Sequence, residues 1–192
     1  MKNLKSLFAA AAAGLGGLAA LAMPQVALAQ SFEGEYLALQ GGVSVLDISG
    51  DGASGPFDDT VTRPIVVAAA GFRFALDQDS PVILGIEGDL GFTIDDFDSR
   101  FGVSGIAGYR VGERTMPYLR AGYASRSGVA TGTPDRSVDG WLAGGGVEYA
   151  LSERLSARLD YRYSDLGGST DVLMQDRKFS SHELAAGLVI GF

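Results

Sequence analysis

Eleven charged residues recur at alternate positions in glycine-rich surroundings, and they are the first groups in this chain able to do chemistry: Arg73, Glu87, Asp89, Arg100, Arg110, Arg120, Glu148, Arg158, Asp160, Arg162 and Glu183. Carboxylates gathered on one enclosed face can act as general acid and base when their surroundings push their pKa values apart. Here five acids stand against six arginines, close to balance. A buried charge left unpaired costs on the order of several kcal/mol, so a nearly neutral set of this kind is expected to pair internally. The expectation is a salt-bridged plug built on Arg73, Glu87, Asp89, Arg120, Glu148, Arg158, Asp160, Arg162 and Glu183. Turn geometry brings Glu148 level with Arg158, and places Arg162 near Glu183.

Three further constellations are weaker. His182, the single histidine, stands beside Ser180, Ser181 and Glu183. A Ser/His/acid set needs serine and acid on opposite sides of the imidazole within hydrogen-bond reach, and neighbours on a strand point to opposite faces. Asp47, Ser49, Asp51, Gly52 and Asp58 fit five positions of a calcium-loop template. The template also wants a bidentate Glu last and flanking helices, so Asp47, Asp51 and Asp58 are only a weak calcium candidate. Gly144–Gly146 lies within a strand pattern and does not make a phosphate cradle. Without cysteine there is no disulfide, thiolate metal site or thiol nucleophile, and one histidine excludes a two-histidine zinc site. No cofactor and no catalytic residue is expected. A formal charge of −8 argues against nucleic acid as a partner.

The first thirty residues read as an address. Lys2 and Lys5 precede a run of Ala, Leu and Gly from Leu7 to Met23, then Pro24 and the triplet Ala27-Leu28-Ala29. This is the pattern of a secretory signal peptide over residues 1–29, leaving 30–192 as one domain. No later stretch approaches the roughly 18 apolar residues of a spanning helix, so any membrane crossing must be made by strands.

From residue 35 onward the hydrophobic period is two. Val82, Leu84, Ile86, Leu90 and Phe92 alternate with Gly85, Glu87, Asp89, Gly91 and Thr93; Leu155, Ala157, Leu159, Tyr161 and Tyr163 alternate with Ser156, Arg158, Asp160, Arg162 and Ser164. Eight strands are predicted, at about 35–46, 64–76, 82–93, 100–111, 116–126, 138–150, 155–165 and 179–192, each near the length that crosses a bilayer at a tilt. Connections 77–81, 112–115 and 151–154 are short. Those at 47–63, 94–99, 127–137 and 166–178 are polar and mostly longer. Such alternation is how an antiparallel up-and-down transmembrane β-barrel is built. A lipocalin-like barrel would put its apolar side chains inside, and here the shared face is Gly, Ser, Glu, Asp and Arg. A β-sandwich leaves unexplained the aromatics near strand ends (Phe72, Phe74, Tyr109, Tyr118, Tyr123, Tyr149, Tyr161, Tyr163), which suit membrane interfaces.

The stretches PYLRAGYA (117–124), GWLAGGGVEYAL (140–151) and LDYRY (159–163), with the ending GLVIGF (187–192), resemble the small outer-membrane β-barrel family. That family takes in the OmpA-type barrel, OmpX-like proteins and opacity-type proteins. The resemblance implies an all-β, eight-stranded barrel in the bacterial outer membrane. It also implies a C-terminal signal, Gly187, Ile190 and Phe192, read by the barrel-assembly machinery. Ile190 stands where an aromatic is commoner.

A non-enzymatic monomer that supports envelope integrity and presents surface loops is the leading expectation. Lipid and lipopolysaccharide would be its neighbours. Its loops carry surplus acid (Asp47, Asp51, Asp58, Asp59, Asp95, Asp96, Asp98), so lipopolysaccharide contact needs divalent bridging or the few bases nearby (Arg126, Arg136, Arg177, Lys178). An adhesin meeting host surface molecules through its loops is the second expectation. A narrow porin is the third, disfavoured because side chains fill an eight-stranded lumen.

Overall fold

The computed structural model describes residues 32–52, 55–77, 80–94, 98–127, 137–169 and 177–192, and of 51, 52, 55–57, 168, 169 and 177 it describes the backbone alone. The expected signal peptide, 1–29, lies outside the described residues. The period-two segments fold as strands β1 (Gly34–Gly52), β2 (Gly55–Ala75), β3 (Val82–Thr93), β4 (Ser99–Tyr109), β5 (Thr115–Ser127), β6 (Ser137–Ala150), β7 (Leu155–Ser169) and β8 (Arg177–Gly191). Each pairs antiparallel with its neighbours in sequence, and β1 pairs with β8 to close the barrel. Closure leaves no open edge within the bilayer-crossing wall, which a lipid environment demands.

The outer wall is apolar where the alternation placed it. Leu39, Phe72, Phe74, Ile86, Leu90, Phe92, Leu119, Trp141 and Tyr149 are exposed, while Glu87, Asp89, Arg120, Glu148 and Arg158 are buried inside. Phe72, Phe74, Tyr109 and Tyr149 ring the end with the short turns. Tyr123, Trp141, Tyr161 and Tyr163 lie toward the other end, with Trp141 packed on Tyr163 at 5.3 Å between ring centroids.

The lumen is layered, which the alternation did not reveal. At the short-turn end Phe32, Ile83, Ile106, Met116, Tyr118 and Ala150 form an apolar cluster. At the opposite end Leu46, Ala124, Val138, Leu142, Leu166 and Phe179 form another, with Ile48 against it. The charged residues occupy the space between. Tyr118 belongs to the inner cluster, not to the membrane interface where its aromatic character had placed it.

The connection expected at 47–63 is also different. β1 and β2, of 19 and 21 residues, continue in unbroken register up to the Gly52–Gly55 pair, well beyond the roughly ten residues needed to cross a bilayer. A ribbon standing in water has no apolar face to bury, so the Asp/Ser/Gly-rich stretch carries no period-two signal and reads as loop. β7 and β8 likewise run past their expected ends, because Leu166 and Phe179 turn inward onto the outer cluster.

Candidate functional site

The nine residues expected in the ion-pair network all lie in the lumen, drawn from β2, β3, β5, β6, β7 and β8. Glu148 and Arg158 are direct register partners across the β6–β7 turn, 3.2 Å apart at their charged atoms. Arg73 reaches Glu148 from the far wall at 2.9 Å. Arg158 also bonds Glu87 at 2.6 Å, and Glu87 takes further hydrogen bonds from Arg120 and from the Tyr36 hydroxyl. Arg120 continues to Asp160 at 3.0 Å, where the Tyr118 hydroxyl also donates. Asp89 is held by Arg162 at 2.5 Å and by Arg100. Arg162 stands directly opposite Glu183 in register and sends its guanidinium across the lumen to Asp89, while Glu183 meets Arg100 at 2.7 Å.

Arg126 and Asp98 extend the chain of pairs toward the outer mouth. Arg126 bonds Asp98 at 2.8 Å and donates to Ser181 at 3.1 Å. Both residues are buried, so neither belongs to the polar surface loops where composition had placed them. Their strand parity was the available signal, since Arg126 shares a face with Arg120 and Asp98 with Arg100. Arg110 is the opposite case: β4 ends at Tyr109, and Arg110 pairs with Glu33 at 2.9 Å on the partly exposed rim.

Tyr36 is a member of the network that the charge pattern does not reveal. Its ring lies 3.8 Å under the Arg73 guanidinium and 5.2 Å from that of Arg158, so the cations are held by both a quadrupole and carboxylates. Inward glycines make room for these large groups. A Cβ at Gly85 would come 2.8 Å from Arg73 Cγ, and one at Gly102 would come 2.8 Å from Asp89 Oδ2. Among these charged side chains the space left over is small. A cavity of about 10 Å³ lies among Gln40, Arg100, Arg120, Asp160, Arg162 and Glu183, enough for no more than one water.

Of the remaining candidates, His182 and Glu183 do not meet. His182 faces the outer wall, its Nδ1 2.8 Å from the Tyr161 hydroxyl and its ring 5.0 Å from that of Tyr163, whereas Glu183 and Ser181 face inward. Asp47 and Asp58 lie in the extended β1–β2 ribbon, opposite Thr60 and Ser49, and Asp47 accepts a hydrogen bond from Thr60 at 2.7 Å. An extended backbone does not wrap a cation, and the Asp51 side chain is outside the described residues. Among the described residues no group of three or more His, Asp or Glu is placed to hold a metal. Gly187 sits inward on β8 opposite Gln40, where a Cβ would come 2.5 Å from the Gln40 Cα, while Ile190 and Phe192 are exposed on the outer wall.

Comparison with known proteins agrees with this architecture. The family described as "Outer membrane protein beta-barrel domain" matches residues 8–192. A 22 kDa outer membrane protein of Rhizobium leguminosarum bv. viciae is 30% identical over 148 residues, 71% of this chain and 65% of that protein. A 25 kDa outer-membrane immunogenic protein of Brucella abortus biovar 1 is 36% identical over 111 residues, 52% of this chain and 51% of that protein. The chain thus spans about half the length of the Brucella relatives it matches. In fold it is similar to Neisserial surface protein A, with a TM-score of 0.52 at 18% identity over 83% of this chain and 100% of that one. It is also similar to OprG from Pseudomonas aeruginosa, with a TM-score of 0.50 at 12% identity over 86% and 99%. A barrel whose wall is apolar outside and whose charges are closed within, matched along nearly its whole length, belongs to the outer membrane protein β-barrel domain family and is a protein of the bacterial outer membrane.

Proposed function

We propose that the protein is a closed, non-enzymatic barrel that reinforces the outer membrane and presents its long hairpins at the cell surface. The observation that carries this reading is the layered lumen, with an ionic layer shut between two apolar clusters. Ions do not cross two apolar constrictions and a layer of guanidiniums each paired with a carboxylate without a large desolvation cost. A narrow-solute porin is disfavoured by the same arrangement. Enzymatic work on lipid is disfavoured because His182 has its acid neighbour on the opposite face. The protein acts as a monomer held by lipid and lipopolysaccharide, and its C-terminal residues engage the barrel-assembly machinery. With Arg126 inside the lumen, contact with anionic lipopolysaccharide rests on divalent bridging and on bases such as Lys178. Planar-bilayer recording of the refolded protein tests the closed lumen. The expected trace is flat, and a large, stable, ohmic conductance overturns the reading.

A second reading, interaction with host surface molecules, draws support from the β1–β2 ribbon that stands clear of the bilayer and from the word "immunogenic" in the name of the Brucella relatives. Deleting residues 48–59 and measuring adhesion of whole cells separates this reading from a purely structural role.

A further inference from the structure

β2 rises ten residues above the end of its neighbour. Its pairing with β3 begins at Ile65–Thr93, whereas its pairing with β1 continues to Gly55. Among the described residues one edge of β2 above Pro64 is therefore unpaired in register, and Asp58, Asp59, Thr60 and Thr62 are exposed. The Pro64 carbonyl accepts a hydrogen bond from the Ile94 N–H at 3.4 Å, which fixes the direction of the backbone groups. Because N–H and C=O of one residue share a side and successive residues alternate, Asp58, Thr60 and Thr62 turn both groups to the free edge, and Asp59, Val61 and Arg63 turn theirs to β1. Pro56 has the same parity as Pro64, so a residue without an N–H bounds the free edge at each end. Edge prolines confine pairing to a short window.

We propose that this window, from Pro56 to Pro64, is a strand-addition site for an extended, basic segment of a partner protein. The inference rests on the surface-presenting reading above. Three N–H and three C=O groups at alternate residues offer the main-chain ladder by which an extended peptide joins a sheet edge. Asp58 and Asp59 immediately precede the central Thr60, and Asp47 lies beside it, bonded to the Thr60 hydroxyl, so lysine or arginine side chains on the incoming strand meet opposite charge. A second copy is the poorer occupant. Two barrels in one membrane run β2 in the same direction, which forbids the antiparallel pair of identical edges, and they would set Asp58 and Asp59 against their own duplicates.

The test uses the full mature chain refolded in lipid nanodiscs and a synthetic peptide of alternating Thr, Lys and Val. Amide hydrogen exchange is read with and without peptide. The expected result is new protection at Asp58, Thr60 and Thr62 alone. Thr60→Pro, which removes one edge donor, weakens binding by about tenfold or more, while slow exchange at Asp59, Val61 and Arg63 verifies that the ribbon is intact. Asp58→Asn with Asp59→Asn weakens binding and leaves the protection pattern unchanged. Equal binding by Thr60→Pro with an intact ribbon, binding without edge protection, or no binding overturns the proposal. So does edge protection that grows with protein concentration in the absence of peptide, which assigns the edge to a second copy. A buried ribbon, detected as failure of surface labelling at Lys178 on whole cells, instead sinks the surface-presenting reading itself.

Discussion

Tyr118 on β5 and Gly146 on β6 are direct register partners, and the phenol fills the space that a side chain at 146 would take. A Cβ there would come 2.8 Å from Tyr118 Cζ and would also overlap the carbonyl of Leu159 on the next strand. Tyr36 stands over its own partner, Gly71, in the same way. An aromatic laid over a cross-strand glycine is a device that pins register while it closes a lumen. Gly146→Ala is therefore expected to destabilise the barrel by about 1–3 kcal/mol through overpacking. Urea unfolding in lipid, followed by Trp141 fluorescence, measures it. Adding Tyr118→Phe does not restore stability, because the Leu159 main chain stays in the way.

Glu87 is the node of the ionic layer, joined to Arg158, Arg120 and Tyr36. Glu87→Gln keeps the volume and removes the charge, leaving two guanidiniums short of their shared counter-ion. Breaking a buried pair in this way costs about 3–5 kcal/mol, and the same unfolding assay reads it. Glu33→Gln, on the rim beside Arg110, is expected to cost less than about 1 kcal/mol, because that pair is partly solvated. Equal losses at the two sites contradict the layered description.

Phe179 is almost wholly buried in the outer apolar cluster. Phe179→Ala is expected to cost about 3–5 kcal/mol by leaving a cavity. It is not expected to open a channel, because the ionic layer beneath it remains closed. Conductance recorded on the variant checks this, and a stable current assigns the seal to the apolar cluster alone.

His182 is bonded to Tyr161 on the outer wall, and its neighbour Glu183 is buried on the lumen side. His182→Ala is expected to cost about 1 kcal/mol or less, the worth of one exposed hydrogen bond. Mass spectrometry of lipid A from cells carrying the wild type or the variant is expected to give the same acylation pattern. Loss of an acyl chain that depends on His182 contradicts the non-enzymatic reading.

Much of this barrel is legible in one dimension. A two-residue period assigns every strand a wet and a dry face, and a membrane on one side with a narrow lumen on the other makes the assignment nearly unambiguous. Hence the strands that cross the bilayer, most of the inward charges (Arg110, past the end of β4, is the exception) and the Glu148–Arg158 pairing across a short turn follow from residue order. Parity also carries the answer for Tyr118, Arg126 and Asp98, whose residue types alone point to the surface. What residue order does not contain is distance across the lumen. Arg73 finds Glu148, and Arg162 finds Asp89 rather than only its register neighbour Glu183, because closing β1 on β8 sets opposite walls within side-chain reach. The two apolar seals and the tall β1–β2 ribbon belong to the tertiary structure as well. The seals gather one or two residues from each of several strands far apart in sequence, and the ribbon stands in water, where nothing obliges its sequence to alternate.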